Sequence, residues 1–246
     1  MKPRRSLPSA AATALIAGLL AASSAPAAET GDVSGMWWAS SYSPSIKSYL
    51  VDGGDVPLND AGRKKSAEIQ AGKESFEAMS RCWPGGVPGM MLFTAEPAYF
   101  LQTPKEGTIL YSRGPHMRHI YMNVPHSQNP KPSWMGESFG HYEGGEFVVD
   151  TIGLNDKTFI DWYHTPHTEK LHVVERYKLI EGGKRLQGML TVEDPGTFTT
   201  KWSGLHYFIK HNLPISDSES ICAENNDANY FGEEQVPIPQ TKTPDF

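Results

Sequence analysis

Little in this sequence announces a reaction. Among 246 residues there are only two cysteines, Cys82 and Cys222. That count excludes a disulfide-dense small scaffold and any cysteine-built zinc or iron–sulfur centre. Neither a GxxxxGK[ST] loop nor a GxGxxG turn is present, so ATP and NAD are not expected as cofactors. The helical HExxH pattern is missing as well. One GxSxG match, Gly136 to Gly140, falls in a strand-like segment and not at a strand-to-helix turn, so Ser138 is not read as a nucleophile. No extended Lys/Arg block occurs, and 22 basic residues stand against 28 acidic ones. An acidic chain of this kind has no nucleic-acid footprint and no charge that would hold it on anionic lipid.

Long apolar runs are scarce too. The N-terminus has a basic start (Lys2, Arg4, Arg5), a small-residue apolar run from Ala10 to Ala22, and an A-x-A site at Ala25-Pro26-Ala27. That order reads as a cleaved secretory signal over residues 1–27, too short for a membrane span. Arg4-Arg5-Ser6-Leu7 gives a partial twin-arginine match, with Pro8 where an apolar residue is usual. The expectation is a periplasmic or secreted protein of one domain, residues 28–246, with a net charge of −9 once the three signal cations are removed. In an oxidising compartment Cys82 and Cys222 are expected to pair, tying the early segment to a Pro-rich tail. Two buried free thiols are the alternative.

What is abundant is alternation and tight turns. Trp37-Trp38 puts one ring on each face of an extended segment. "VPLNDAGRKKSAEIQAGKESFEAMSRCW" is the one clear helix, capped by Asn59 or Asp60. From Pro97 onward short strands follow one another, with turns at Gly144-Gly145 and Gly182-Gly183. The pattern predicts an all-β fold, an antiparallel up-and-down barrel with one N-terminal helix, wide enough to hold one small ligand. A β-sandwich is the second choice.

The segments "LQTP", "EGGEFVVDTIGLNDKT", "HTEKLHVVERY" and "CAENN" resemble a broad, largely uncharacterised family of exported bacterial proteins, from about Cys82 to Asn226. That family's strand pattern is similar to lipocalin or calycin barrels. Its PHP-like element falls on Pro125-His126, where Ser127 departs from it, and its H-[ST]-E element on His167-Thr168-Glu169. His141 stands where the family has a basic Arg. The resemblance implies a fold and names no reaction.

The chemistry must come from "HTPHTEKLHVVERY". Strand alternation puts Leu171, Val173, Glu175, Tyr177 and Leu179 on the interior face, and His172, Val174, Arg176 and Lys178 on the wet one. A carboxylate on an apolar face is costly unless paired or protonated. Glu175 is therefore a candidate acid–base group, or a structural Glu bonded to a buried Arg or Tyr. His126 and His167 lie on loops that could face each other across a barrel mouth, with His164 beside them. H-x-x-H occurs at His116/His119 and His164/His167, but on strands that spacing splits the pair between faces, and no metal is expected. Arg118 could bind a carboxylate or phenolate, as could Arg113. Trp134, Tyr177 and Trp202 are candidate substrate-binding rings, with Tyr142, Trp162 and Tyr207 nearby in the pattern.

Together these point to a cofactor-independent lyase, isomerase or dehydratase acting on a small hydrophobic or aromatic molecule. His126, His167 and Glu175 are the catalytic candidates, and Arg118, Trp134, Tyr177 and Trp202 the substrate contacts. A non-catalytic hydrophobic ligand-binding protein and a metal-dependent hydrolase are the alternatives. Nothing in the residues speaks to oligomeric state.

Overall fold

Strand alternation carries most of the architecture. In a computed structural model that describes residues 31–72, 83–92, 97–112 and 116–211, nine strands close into a barrel in simple sequence order. They are β1 Gly35–Ala39, β2 Ala98–Gln102, β3 Glu106–Tyr111, β4 His116–Met122, β5 Glu137–Glu143, β6 Glu146–Ile152, β7 His172–Ile180, β8 Arg185–Glu193 and β9 Trp202–His211. The last three strands bury every second residue, as one-faced strands must. Trp37 is wholly buried while its neighbour Trp38 lies on the other face. The Gly144-Gly145 turn has φ of 59° and 83°, values that glycine takes without a Cβ penalty.

One seam departs from the up-and-down expectation. β4 and β5 run parallel, with Ile120 opposite Ser138 and Met122 opposite Gly140. Antiparallel neighbours need only a tight turn, but a parallel pair needs a return of a dozen or more residues. Residues 123–136 make that return, with His126 against Asp150 and Phe139 and Met135 packed against the buried core.

Topology then makes the two ends of the barrel different. Tight turns at 103–105, 144–145 and 181–184 close one end. The other end carries the long connections: β1 to β2, residues 153–171, and residues 194–201. The first of these holds a 3-10 turn Ile46–Tyr49, helix α1 Asp60–Gln70 and the short helix α2 Gly89–Leu92. Asn59 caps α1, its side-chain oxygen accepting from Gly62 N at 2.8 Å. The helix ends at Gln70, short of the span read from the sequence, and Ile69 is its buried apolar residue; residues 73–82 of that span lie outside the described residues.

Two buried carboxylates fasten the open-end loops. Asp194 accepts from Thr168 N (2.6 Å), Thr168 Oγ1 (2.8 Å) and Gly196 N (2.9 Å). Asp161 accepts from Ile46 N and Thr165 N, both at 3.0 Å. Apolar packing does the rest. One buried cluster, with Trp37, Phe100, Ile109, Phe147 and Phe208, lines the barrel interior; a second, with Ile46, Val87, Leu171, Val192 and Trp202, lies toward the open end. Each fully buried side chain of this size contributes roughly 1.5–3 kcal/mol.

Residues 1–30, Cys82, Arg113 and residues 212–246 fall outside the described residues, and with them the signal, the proposed disulfide and the Pro-rich tail. Among the described residues no helix is long and apolar enough to cross a membrane.

Candidate functional site

Arg118 points inward from β4, as its place between buried Ile120 and the open end requires. Its guanidinium reaches over β5 and β6 to β7. Nε donates to Ser138 Oγ on β5 at 3.0 Å, and Nη2 to Thr151 Oγ1 on β6 at 2.7 Å. Nη2 also meets Glu175 Oε2 on β7 at 2.5 Å. The second oxygen of that carboxylate accepts from the Tyr177 hydroxyl at 2.7 Å. Ser138 and Thr151 hydrogen-bond each other at 3.0 Å. Arg118, Glu175 and Tyr177, each inferred separately from sequence, thus belong to one buried cluster.

A charge pair this deep must be fully partnered to be tolerated. Burial alone would depress the Arg118 pKa, but the charge and hydrogen bond of Glu175, together with Tyr111 and Tyr177, outweigh it and the guanidinium is held firmly protonated. Burial pushes the Tyr177 hydroxyl well up, with the charge of Glu175 adding to it. Burial likewise pushes Tyr111, on β3, up to about 12, against the pull of the Arg118 charge. Tyr111 is therefore a neutral phenol at physiological pH. Arg118 Nη1 and the Tyr111 hydroxyl make no hydrogen bond of ordinary geometry among the described residues, although the Arg118 side chain lies close enough to Tyr111 to act on its hydroxyl. Both side chains are almost completely shielded from solvent. Tyr111 was not singled out in the sequence, although β3 alternation places it on the same face as Ile109.

The two histidines expected at the mouth go elsewhere. His167 does sit in the open-end connection, but it is a buried ring, not an overhanging one. Nε2 meets Thr158 Oγ1 at 2.9 Å and Nδ1 the Thr168 carbonyl at 3.2 Å. Burial lowers its pKa against the pull of Thr168 and Asp194, leaving it neutral. A buried ring with both nitrogens engaged ties two stretches of one loop together and holds no free proton acceptor. His126 lies on the outer wall, on the β4–β5 return. It donates from Nε2 to Asp150 Oδ1 at 2.9 Å and packs edge-on against Phe139 at 4.4 Å. His126, His167 and Glu175 therefore have separate partners, and the facing pair across the mouth is corrected.

His172 is the reason the outer wall is more than a wet face. Its Nε2 donates to the same Asp150 Oδ1 at 2.8 Å, while Nδ1 lies 3.7 Å from Glu193 Oε2. The hydrogen bond to Asp150 raises the His172 pKa, and burial opposes it. Asp150 loses ground to desolvation but is carried below the usual carboxylate range by the two imidazoles, His172 first. Ser127 and Glu137 pin the same return, Oγ to Oε2 at 2.6 Å. Among the described residues no group of three or more His, Cys, Asp or Glu is arranged to hold a metal ion.

The ring candidates also divide. Tyr177 packs against Phe100 at 5.2 Å inside the barrel. Trp202 faces inward at the open end, edge-on to Phe198 at 5.6 Å, and its Nε1 has no hydrogen-bond partner among the described residues. Trp134 is not in this interior; it lies on the β4–β5 return and stacks with Trp83 at 5.0 Å.

No family model matches the chain, and no curated protein matches it.

Proposed function

We propose that the barrel interior is an active site in which Arg118 and Tyr111 receive the oxygen of a small hydrophobic or aromatic molecule. One observation carries this reading: Arg118 Nη1 and the Tyr111 hydroxyl lie in one buried interior cluster, and neither makes a hydrogen bond of ordinary geometry among the described residues. A buried donor left unmade costs roughly 1–3 kcal/mol, and a fold keeps such a cost where it serves a ligand. A cation and a neutral phenol together suit a carbonyl, carboxylate or phenolate oxygen. They gain most when that oxygen becomes negative, which is the preorganised arrangement that speeds proton transfer beside a carbonyl.

The residue roles shift from those expected from sequence alone. Glu175 is a positioning residue: it fixes Arg118 and accepts from Tyr177. The aromatic lining, with Phe100, Phe147 and Phe208 in the same core, suits a hydrophobic body behind the oxygen. In this reading the protein is a lyase, isomerase or dehydratase of lipocalin-like type, working without organic cofactor or metal after export to the periplasm. Export rests on the N-terminal sequence alone. A carrier of the same molecules is the second reading, favoured by how completely Glu175, Ser138 and Thr151 immobilise the Arg118 fork.

Calorimetry with 4-nitrophenol and benzoate tests the site. The wild-type protein binds at least one of them. The double variant Arg118→Met/Glu175→Leu keeps the fold, because an apolar pair can replace a buried ion pair, and loses binding. Unchanged binding in that variant overturns the proposal.

A further inference from the structure

His206 is a buried imidazole that the cluster above does not use. It faces inward from β9 with Trp202, Gly204 and Phe208, and is 2% exposed. Its Nε2 lies 3.1 Å from the Ser41 carbonyl oxygen. A carbonyl only accepts, so Nε2 carries the proton and Nδ1 carries the lone pair of the neutral ring. The ring is held between Tyr49, at 4.8 Å, and Phe208, at 4.6 Å. Nδ1 has no hydrogen-bond partner among the described residues, although the Met91 backbone lies near the ring.

Register links this nitrogen to the donor cluster. His206 stands opposite Gly188 on β8, and Gly188 opposite Tyr177 on β7. With no side chain between them, the Tyr177 and Phe208 rings close over the glycine: a Cβ there would meet them at 3.3 and 3.1 Å. The wall that carries His206 is thus continuous, ring to ring, with Tyr177 and Glu175. A neutral ring whose Nε2 is fixed by a carbonyl, and whose Nδ1 makes no hydrogen bond of ordinary geometry among the described residues, is the form a general base takes.

We infer that His206 Nδ1 is the proton acceptor of this site and that the substrate is a hydrophobic carbonyl compound with a C–H next to the carbonyl. The inference rests on the reading of Arg118 and Tyr111 given above. Nδ1 takes the proton from the carbon beside the carbonyl. The C–H electron pair becomes the new C=C bond, and the C=O π pair moves onto the oxygen held by Arg118 and Tyr111. Where the substrate also has a β,γ double bond, the anion is a dienolate; it takes the proton back at the γ-carbon as the C=O re-forms, which completes an isomerisation. Expelling a group from the next carbon, with the proton passing to it, completes an elimination. Neither route needs an oxidant or reductant. Burial lowers the His206 pKa against the Ser41 and Met91 backbone, so the ring is unprotonated and ready at neutral pH.

The probe is 4-nitrophenol, an enolate mimic whose phenolate absorbs visibly, used below the pH at which it ionises in water. In wild type it binds as phenolate and its proton stays on the protein, so calorimetry in two buffers shows no net proton release. In His206→Gln, whose amide still donates to Ser41, the probe binds as neutral phenol or releases its proton to the buffer. Deuterium uptake by phenylacetone in heavy water falls on the order of 10²-fold in the same variant. Phenolate binding with the proton retained in His206→Gln overturns the role of His206 and leaves the Arg118–Tyr111 site standing. Failure of wild type to bind the probe as phenolate overturns the role of His206, and failure to bind either 4-nitrophenol or benzoate overturns both. Where His206→Gln does not fold, nitrogen-15 spectra of the wild type decide: His206 gains a second ring proton on probe binding, and a ring unchanged by the probe contradicts the proposal.

Discussion

Arg118 and Glu175 are 57 positions apart in the chain and meet at 2.5 Å inside the barrel. Between their strands stand β5 and β6, and Arg118 hydrogen-bonds to each on the way. The side chain therefore crosses the parallel β4–β5 seam, where only Ile120, Tyr121 and Met122 of β4 find backbone partners. One residue closes the seam from within, while the His126–Asp150 contact holds the return outside it.

That arrangement sets unequal costs for single and double substitutions. Arg118→Met alone leaves a buried carboxylate unpaired and should destabilise by roughly 3–5 kcal/mol, as should Glu175→Leu alone. The double variant should recover most of the loss. Urea unfolding of the three variants checks this; additive losses would show that the two groups act independently.

His167 is a second structural prediction. His167→Ala strands the Thr158 hydroxyl and removes one of two bonds to the Thr168 carbonyl, which keeps Leu171 N, so it should cost about 1–3 kcal/mol and lower the melting temperature. A variant as stable as wild type would mean that the ring is not the tie described.

The interior face of β7 was legible in "LHVVERY", because alternation alone puts Glu175 and Tyr177 beside Val173. The bond from Glu175 to a buried Arg was one of the two readings the residues allowed. His206 was legible by the same rule, since it shares a face with Trp202 and Phe208, but its lone pair becomes notable only when Ser41, from the β1 side, takes Nε2. The outer cluster could not be read at all. Asp150 follows the apolar run Phe147–Val149, and its meeting with His172 depends on the β6–β7 register. Its meeting with His126 depends on the parallel seam. Residues 123–136 are longer than a usual hairpin loop, which was the available sign that β4 and β5 are parallel.

The outer cluster predicts a pH signature. His172 has a raised pKa in the fold, so its contribution is full below the ordinary 6.5 and is lost as pH rises through the folded value. Asp150 has a lowered one, so its contribution is present above the ordinary 3.8 and is lost as pH falls through the folded value. Together they stabilise most between about pH 4 and 6.5. His167 and His206, both lowered, pull the other way, since only the unfolded chain protonates them readily below 6.5. The comparison must therefore be between wild type and Asp150→Asn. The difference in urea midpoint should shrink from pH 6 to pH 8, and a difference that stays constant would contradict the pairing.

Tyr111→Phe tests the central claim most directly, because it removes one oxygen that makes no hydrogen bond of ordinary geometry among the described residues. Calorimetry with 4-nitrophenol and a thermal melt should be run on the same two samples. If the hydroxyl serves only the fold, its loss lowers the melting temperature and leaves the affinity for the probe unchanged. If it receives the substrate oxygen, the variant melts at or above the wild-type temperature. It then binds the probe on the order of tenfold more weakly, the worth of one lost hydrogen bond in a buried site. Equal affinity in Tyr111→Phe and wild type would contradict the account.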